Sequence, residues 1–413
     1  MAVKRAHKTT RKTPVATANE PPPARFESIS PPGTTPLKKY FLEQLARSGP
    51  ISFEQYMEIC LYHPEHGYYV EGRERTGARG DYFTSPNLHP IFARLFGRQA
   101  EEMWRLLGRP ARFTWVEMGA GGGVFAADFL SWARTELPEF FAALDYVVVE
   151  PAERARERAV ERIKSIGVRA PVRAAGSVEE LDPVSGAFFS NELADSLPVA
   201  VVTRSGGRLK EIYVAAEGGE LREKLGPIRE AWTAAAVARY ANRLEEGQRV
   251  EVSPAAERWI HSIAEKLLVG FVMTVDYGEV AERLVTSARP RGTLISYFRH
   301  RPTENFFAAP GEQDLTAHVN FSLLADAGTA AGLEFTGFTT QERFLLALGE
   351  ANEFQDLYDP GQSQTGKLDA RLKLKRLIHP EGMGGVFKVL VQHRGVARPK
   401  LAGLRFEDVA SGH

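Results

Sequence analysis

The sequence predicts an α/β chain built on a doubly wound, mostly parallel sheet, and three observations carry that prediction. First, the apolar stretch Phe113–Val116 runs into Glu117-Met118-Gly119-Ala120-Gly121-Gly122-Gly123, continues as a helical pattern from Val124 to Arg134, and returns as Tyr146-Val147-Val148-Val149-Glu150. This is a βαβ unit with a glycine turn. Second, the short apolar runs Gly186–Ser190 and Phe271–Val275 also end in polar or acidic residues, as buried parallel strands do where they meet a ligand crevice. Third, helical patterns alternate with these strands, and a late pair, Phe335–Gln341 and Gly385–Val391, closes the series.

The glycine turn narrows the ligand. Glycine is needed where backbone turns tightly and approaches a bound group, and Glu150 ends the second strand where a carboxylate can accept both hydroxyls of a ribose. Dinucleotide fingerprints read G-x-G-x-x-G with an acidic residue about 20 residues on. Here the glycines stand at 119, 121 and 123, with Glu150 about 30 residues downstream, so NAD fits poorly. Glu117 would repel a phosphate at the helix N-terminus but suits a ligand carrying an ammonium group. S-adenosylmethionine is that ligand, and the E-x-G-x-G-x-G form resembles the first motif of the seven-strand, Rossmann-like methyltransferases.

Composition bounds the remaining possibilities. At 413 residues and 43% hydrophobic content the chain can bury a large core, as one large or two ordinary domains. The 52 basic and 52 acidic side chains cancel, which disfavours general nucleic-acid binding. Cys60 is the single cysteine, so no internal disulfide forms, and no Cys/His array has zinc spacing. His63-Pro64-Glu65-His66 has the look of a metal pair, but Pro64 opposes the helix that would align two ligands, so a turn is expected and no metal. The longest apolar run, Leu267–Val275, is about half of a bilayer span. Residues 1–35 form a basic, proline-rich arm without an apolar signal region, expected to be disordered; a bacterial cytoplasmic location is favoured, with the mitochondrial matrix as alternative.

Further elements follow in order. Pro36–Leu45 has helical period and stops at Gly49-Pro50, and the Ser52/Gln55 capping box starts a second helix running to about Tyr62. From His63 to Pro86 the chain is a loop with too many aromatics to be a plain linker. A helix from Asn87 or Pro90 to about Leu107 completes an N-terminal cap over 36–110. Sheet segments are expected over 111–198 and 254–395, separated by a β-rich insertion over 199–253 with hairpins at Gly206-Gly207 and Gly218-Gly219, and followed by a tail over 396–413. The arginine-rich helix Ala152–Ser165 reads as a solvated face, Val168–Ala174 as a third strand, and Pro254–Leu268 as a helix leading into the strand at Phe271. Gly292–Phe298 reads as the next strand, and Pro310–Asn320 as the cap of a helix running to about Ala331.

The strand ends supply candidate chemistry. Asn191, Glu192 and Asp195 follow one apolar strand and Asp276 follows another, placing them at the expected crevice. Asp314 and His318, four apart at a helix start, can share one face.

Four ordered motifs, Gly80-Asp81-Tyr82-Phe83-Thr84-Ser85-Pro86, Asn191-Glu192-x-x-Asp195-x-Leu197-Pro198, Asp276-Tyr277-Gly278 and Gly311-x-x-Asp314-Leu315-Thr316-Ala317-His318-Val319, resemble the MidA-like methyltransferases over about Pro36 to Val391. That resemblance implies a class I methyltransferase sheet with helices on both faces and an S-adenosylmethionine site formed by Glu117, Gly119, Gly121, Gly123, Glu150 and Asn191. It also implies methyl transfer to an arginine of a partner protein such as a respiratory complex I subunit. Glu192, Asp195, Asp276 and His318 are the expected catalytic residues, and Asp81, Thr84, Ser85 and Asp314 the expected acceptor contacts. The family usually reads G-P-G-R-G at the glycine turn, where this chain has Gly119-Ala120-Gly121-Gly122-Gly123. A non-catalytic assembly module on the same fold and a small-molecule methyltransferase are the alternatives.

Overall fold

The computed structural model of the protein describes residues 34–69, 84–167, 172–298 and 301–406. Its centre is a sheet whose principal strands are β1 (Phe113–Met118), β2 (Leu144–Val149), β3 (Val172–Ala175), β4 (Val184–Asn191), β5 (Leu267–Glu279), β6 (Glu334–Thr340) and β7 (Phe387–Arg394). They lie in the order β3-β2-β1-β4-β5-β7-β6. The first five pair in parallel, and β7 runs antiparallel between β5 and β6. An eighth, two-residue strand, Val319–Asn320, pairs with the end of β5. The sense in which successive strands are added reverses between β1 and β4, the place where an open α/β sheet leaves a crevice at its carboxyl edge.

Side-chain alternation along the strands divides the core in two. Trp115, Tyr146, Phe189 and Met273 face one layer, which contains α3 (Ile91–Leu106), α4 (Val124–Glu136) and α5 (Glu153–Ser165). Val116, Val147, Phe188 and Val272 face the other, formed by α6 (Pro254–Lys266) and α7 (Phe321–Ala330). Gly186 of β4 has no room for a side chain, since a Cβ there would lie 2.0 Å from the Thr114 carbonyl oxygen.

A third core joins the N-terminal helices to the insertion. Leu37 and Phe41 of α1 (Pro36–Ser48) and Phe53 and Tyr56 of α2 (Phe53–Tyr62) pack with Val201, Ile212 and Val214 of the insertion sheet. That sheet contains Ala200–Ser205, Arg208–Glu217, Glu220–Gly226 and Arg249–Val252, and Ile51–Ser52 adds itself to its edge. The capping box is present: Gln55 N donates to Ser52 Oγ at 3.2 Å and Ser52 N to Gln55 Oε1 at 3.1 Å. Thr35, assigned to the arm from sequence, instead caps α1 and donates to the Pro310 carbonyl at 2.9 Å. Residues 1–33 lie outside the described residues.

Several expectations require correction. Ile295–Phe298 is not a strand of the main sheet; it forms a small separate sheet with Arg301–Thr303 and Asp314–Thr316. Asp314 therefore stands on a strand. The helix begins only after Asn320, whose side chain accepts from Leu323 N at 3.2 Å, so Asp314 and His318 do not share a helix face. The helix from Pro254 ends at Lys266 because Leu267 already pairs with Val184 as β5 begins. A four-residue helix, Ser85–Leu88, precedes α3. The third strand is seen over Val172–Ala175; residues 168–171 lie outside the described residues. Among the described residues no helix is long and apolar enough to cross a membrane.

Candidate active site

A cleft of ≈ 690 Å³ opens at the carboxyl ends of β1, β2 and β4. Glycines 119, 121 and 123 all adopt left-handed φ between +51° and +72°. A Cβ on Gly119 would meet Leu193 Cδ1 at 2.6 Å, and one on Gly123 would meet Ala159 Cα at 2.8 Å. These two glycines admit close packing of the turn. Gly121, which lines the cleft as Gly119 does, differs in that a Cβ there would find nothing within 4 Å, so its freedom serves backbone conformation and ligand access. No side chain caps the following helix, α4, which leaves its N-terminal turn facing the cleft through Val124 and Phe125.

Glu150 sits across this turn. Its carboxylate accepts Gly121 N and Ala152 N, each at 3.0 Å, and each oxygen keeps a lone pair for a ligand hydroxyl. Burial pushes its carboxyl up, while those two amides pull it back. Glu117 is on the wall beneath, where Tyr146 OH donates to its Oε2 at 2.7 Å and burial lifts the carboxyl to about 8. Arg158 of α5 also lines the cleft, Arg156 donates to the Glu150 carbonyl at 2.5 Å, and Arg162 Nε donates to the Gly122 carbonyl at 2.7 Å. The arginine helix thus presents the expected solvated face through Arg154, Glu157, Glu161 and Lys164, and in addition contributes Arg158 to the site. Periodicity hid this, because the chain turns back over the glycines only in three dimensions.

The second wall is the segment after β4. Asn191 Nδ2 donates to Glu192 Oε1 at 3.2 Å, but Asn191 Oδ1, buried at the cleft, has no hydrogen-bond partner among the described residues. Glu192 has a left-handed φ of 54°, a strained state for a residue with a side chain. Its backbone N–H donates to the Val275 carbonyl at 3.0 Å, and its Oε1 also accepts Ser85 N at 3.0 Å. Burial raises this carboxyl to about 8.

Asp276 explains the strained turn. Its Oδ2 accepts the amides of Leu193, Ala194 and Asp195 at 3.1, 2.8 and 3.2 Å, and its Oδ1 accepts Tyr277 N at 2.8 Å. Burial and the neighbouring Asp195 and Glu192 charges push the Asp276 carboxyl up, and the amides oppose that shift. Fully buried, it stands behind the cleft wall rather than in it.

Other predicted residues are placed as follows. Asp195 is also buried, accepts Tyr277 OH, and has its carboxyl raised to about 6 by burial. His318 packs edge-on against Tyr277, ring centroids 5.4 Å apart, and burial lowers its pKa to about 4. Neither lines the cleft. Asp314 is buried and accepts Tyr69 OH at 2.8 Å, so it meets the cleft only through that tyrosine. Thr84 lines the cleft, Ser85 supplies its backbone amide to Glu192, and Asp81 lies outside the described residues. Tyr62, Tyr69, Ser177, Glu179 and Trp259 line the cleft without having been singled out from sequence. Only the aromatic loop around Tyr69 had marked itself.

These residues fit a ribonucleoside carrying cationic groups. Gly121 leaves open space, Glu150 offers hydroxyl acceptors, and the unpartnered Asn191 Oδ1 awaits a donor. Among the described residues, the ionisable side chains lining the cleft are Glu117, Glu150, Glu153, Glu179 and Glu192 against Arg158. S-adenosylmethionine matches that field with its sulfonium and ammonium.

Two outcomes test this geometry. Glu150→Ala is expected to weaken S-adenosylmethionine binding on the order of 100-fold, two charge-assisted hydrogen bonds being lost, as read by calorimetry. Asp276→Ala strands four amides and is expected to cost about 3 kcal/mol or more in urea unfolding, with Asp276→Asn costing less because one acceptor oxygen remains. An unchanged unfolding midpoint in Asp276→Ala would contradict the anchor.

Comparison with known proteins agrees with this cofactor. Residues 95–339 match the model of a family described as "Putative S-adenosyl-L-methionine-dependent methyltransferase". The mouse "Protein arginine methyltransferase NDUFAF7, mitochondrial" is 26% identical over 381 residues, covering 86% of this chain and 83% of that protein. Its Xenopus tropicalis counterpart is 28% identical over 345 residues, covering 76% and 75%. A crystal structure of a "likely methyl transferase" from Burkholderia thailandensis, bound to S-adenosyl-homocysteine, superposes with a TM-score of 0.82 at 30% identity and covers 91% of this chain and 95% of that one. With its class I sheet order and its glycine turn opposite Glu150, the chain belongs to the MidA-like family of S-adenosylmethionine-dependent methyltransferases.

Proposed function

We propose that the protein methylates an arginine side chain of a partner protein, and the observation that carries this reading is Glu192. It is a half-buried carboxylate on the cleft wall, held in a strained backbone state, with Oε1 engaged and Oε2 carrying no hydrogen bond among the described residues. A guanidinium presents in-plane N–H donors in a fixed fork, which suits a carboxylate held in one orientation. The relatives named as protein arginine methyltransferases support the same substrate class. A respiratory complex I subunit is the partner that the family resemblance suggests.

S-adenosylmethionine, when bound, supplies an activated methyl group on sulfur. The chain's part is to orient the acceptor and exclude water. Gly119, Gly121, Gly123, Glu117, Glu150 and Asn191 hold the cofactor in this reading. Glu192 takes the guanidinium's donors, holds its positive charge away from the reacting nitrogen, and is the cleft carboxylate able to receive the proton that nitrogen releases. Asp276 and Asp195 act as positioning residues: one ties down the loop that carries Glu192, and the other fixes Tyr277. His318 is assigned no proton transfer, because it lies behind Tyr277 and outside the cleft.

Glu192→Gln is expected to lower methyl transfer by about 100-fold or more while cofactor affinity stays within a few-fold. The pH profile has a definite sign. With its carboxyl at about 8 in the free protein, Glu192 is largely protonated below that pH and cannot pair with a cation. Thus kcat/KM for the acceptor rises with pH through about 8 in the wild type, and this rise is absent in Glu192→Gln. The measurement is transfer of labelled methyl from S-adenosylmethionine to protein in lysate, with the modified residue identified by mass spectrometry. Label on lysine, on a carboxylate or on a small molecule would sink the arginine reading, and tight cofactor binding without transfer would favour an assembly module.

A further inference from the structure

The cleft wall contributed by the N-terminal cap contains two tyrosines whose hydroxyls are already committed. Tyr62, the last residue of α2, has its OH 3.1 Å from Ser196 Oγ and 3.2 Å from the Ser196 carbonyl oxygen. Tyr69 OH donates to Asp314 Oδ1 at 2.8 Å. The two rings stack, with centroids 5.7 Å apart and planes inclined by 29°. Both line the same cleft as Glu192 and Ser196. With their polar ends engaged, what they offer a ligand is ring surface.

We propose that Tyr62, with Tyr69 stacked on it, forms an aromatic wall that selects a planar guanidinium over an ammonium at Glu192. The inference rests on the arginine reading and adds the residue that makes the choice. A guanidinium can lay its weakly hydrated face on an aromatic ring while its edge donors meet a carboxylate. An ammonium directs three donors in different directions and is strongly hydrated, so it needs several oxygen acceptors at once. At this wall the tyrosine oxygens are turned to Ser196 and Asp314. Asp195, Asp314 and Glu150 place negative charge near Tyr62, which favours a cation there; of the three only Glu150 lines the cleft, where its oxygens hold the Gly121 and Ala152 amides.

The test is a titration of the full-length protein, saturated with S-adenosylhomocysteine, by the peptides acetyl-Gly-Arg-Gly-amide and acetyl-Gly-Lys-Gly-amide, followed by ligand-observed NMR. The wild type is expected to bind the arginine peptide at least about tenfold more tightly than the lysine peptide. Tyr62→Leu is expected to remove most of that difference while S-adenosylhomocysteine affinity is unchanged, which also shows the variant is folded. Tyr62→Phe, which keeps the ring and loses the Ser196 contact, is expected to retain most of the difference. If Tyr62→Leu and Tyr69→Leu both discriminate as the wild type does, the aromatic wall is overturned and the arginine reading stands. A wild-type protein that binds S-adenosylhomocysteine but prefers the lysine peptide, or binds neither, overturns both.

Discussion

The buried carboxylate of Asp276 is the constraint on which the cleft depends. At the end of β5 it gathers the amides of Leu193, Ala194 and Asp195 from the neighbouring strand's exit. A loop at the carboxyl edge of a sheet has no ladder to satisfy its backbone, and buried amides without acceptors are costly. Asp276 meets that need and, in doing so, forces the chain into the turn that leaves Glu192 at φ 54°. The strain is local, and its consequence is a carboxylate that faces the cleft in one orientation.

The cleft itself is assembled from three parts that are far apart in sequence. The glycine turn and Glu150 form the nucleoside side, the Asn191–Leu197 segment forms the acidic side, and the N-terminal cap closes it through Tyr62, Tyr69 and Thr84. The cap is held by a shared apolar core with the insertion and by the Ile51–Ser52 strand at its edge. Ser85 N reaching Glu192 Oε1 joins the cap to the acid directly. A change in the cap therefore reaches the chemistry through a hydrogen bond as well as through shape.

Burial sets the electrostatics. Glu117 and Glu192 are both lifted to about 8, so near neutral pH the free protein holds protons on carboxyls that a cationic ligand would displace. Binding of a sulfonium or a guanidinium is then coupled to proton release. In the unfolded chain these carboxyls titrate near 4.5, so between there and about 8 their burial makes stability fall as pH rises, and a bound cation offsets that loss. His318 acts in the opposite sense: lowered to about 4 by burial, it costs stability as pH falls below 6.5.

Much of this was legible in the chain. Apolar runs ending in acids predict parallel strands, the 119-121-123 glycine spacing with Glu150 predicts the nucleoside turn, and Ser52 with Gln55 predicts a helix start that is present to the residue. These are local signals, because backbone conformation and the period of burial are written within a few neighbouring residues. What only the tertiary structure decided is which polar residues face the ligand. Glu192 and Asp195 share one short motif, yet one lines the cleft and the other binds Tyr277 behind it. Gly292–Phe298 has the pattern of a sheet strand, yet pairs with Asp314–Thr316 in a separate small sheet. Arg158 reads as a surface residue, yet lines the site because α5 packs over the glycine turn. The sequence by itself determined the sheet, the glycine turn and the stock of acids at the strand ends. The direction each acid takes depended on hydrogen bonds between segments some 80 residues apart, such as Asp276 to Leu193 and Ala194, and no local pattern encodes those contacts.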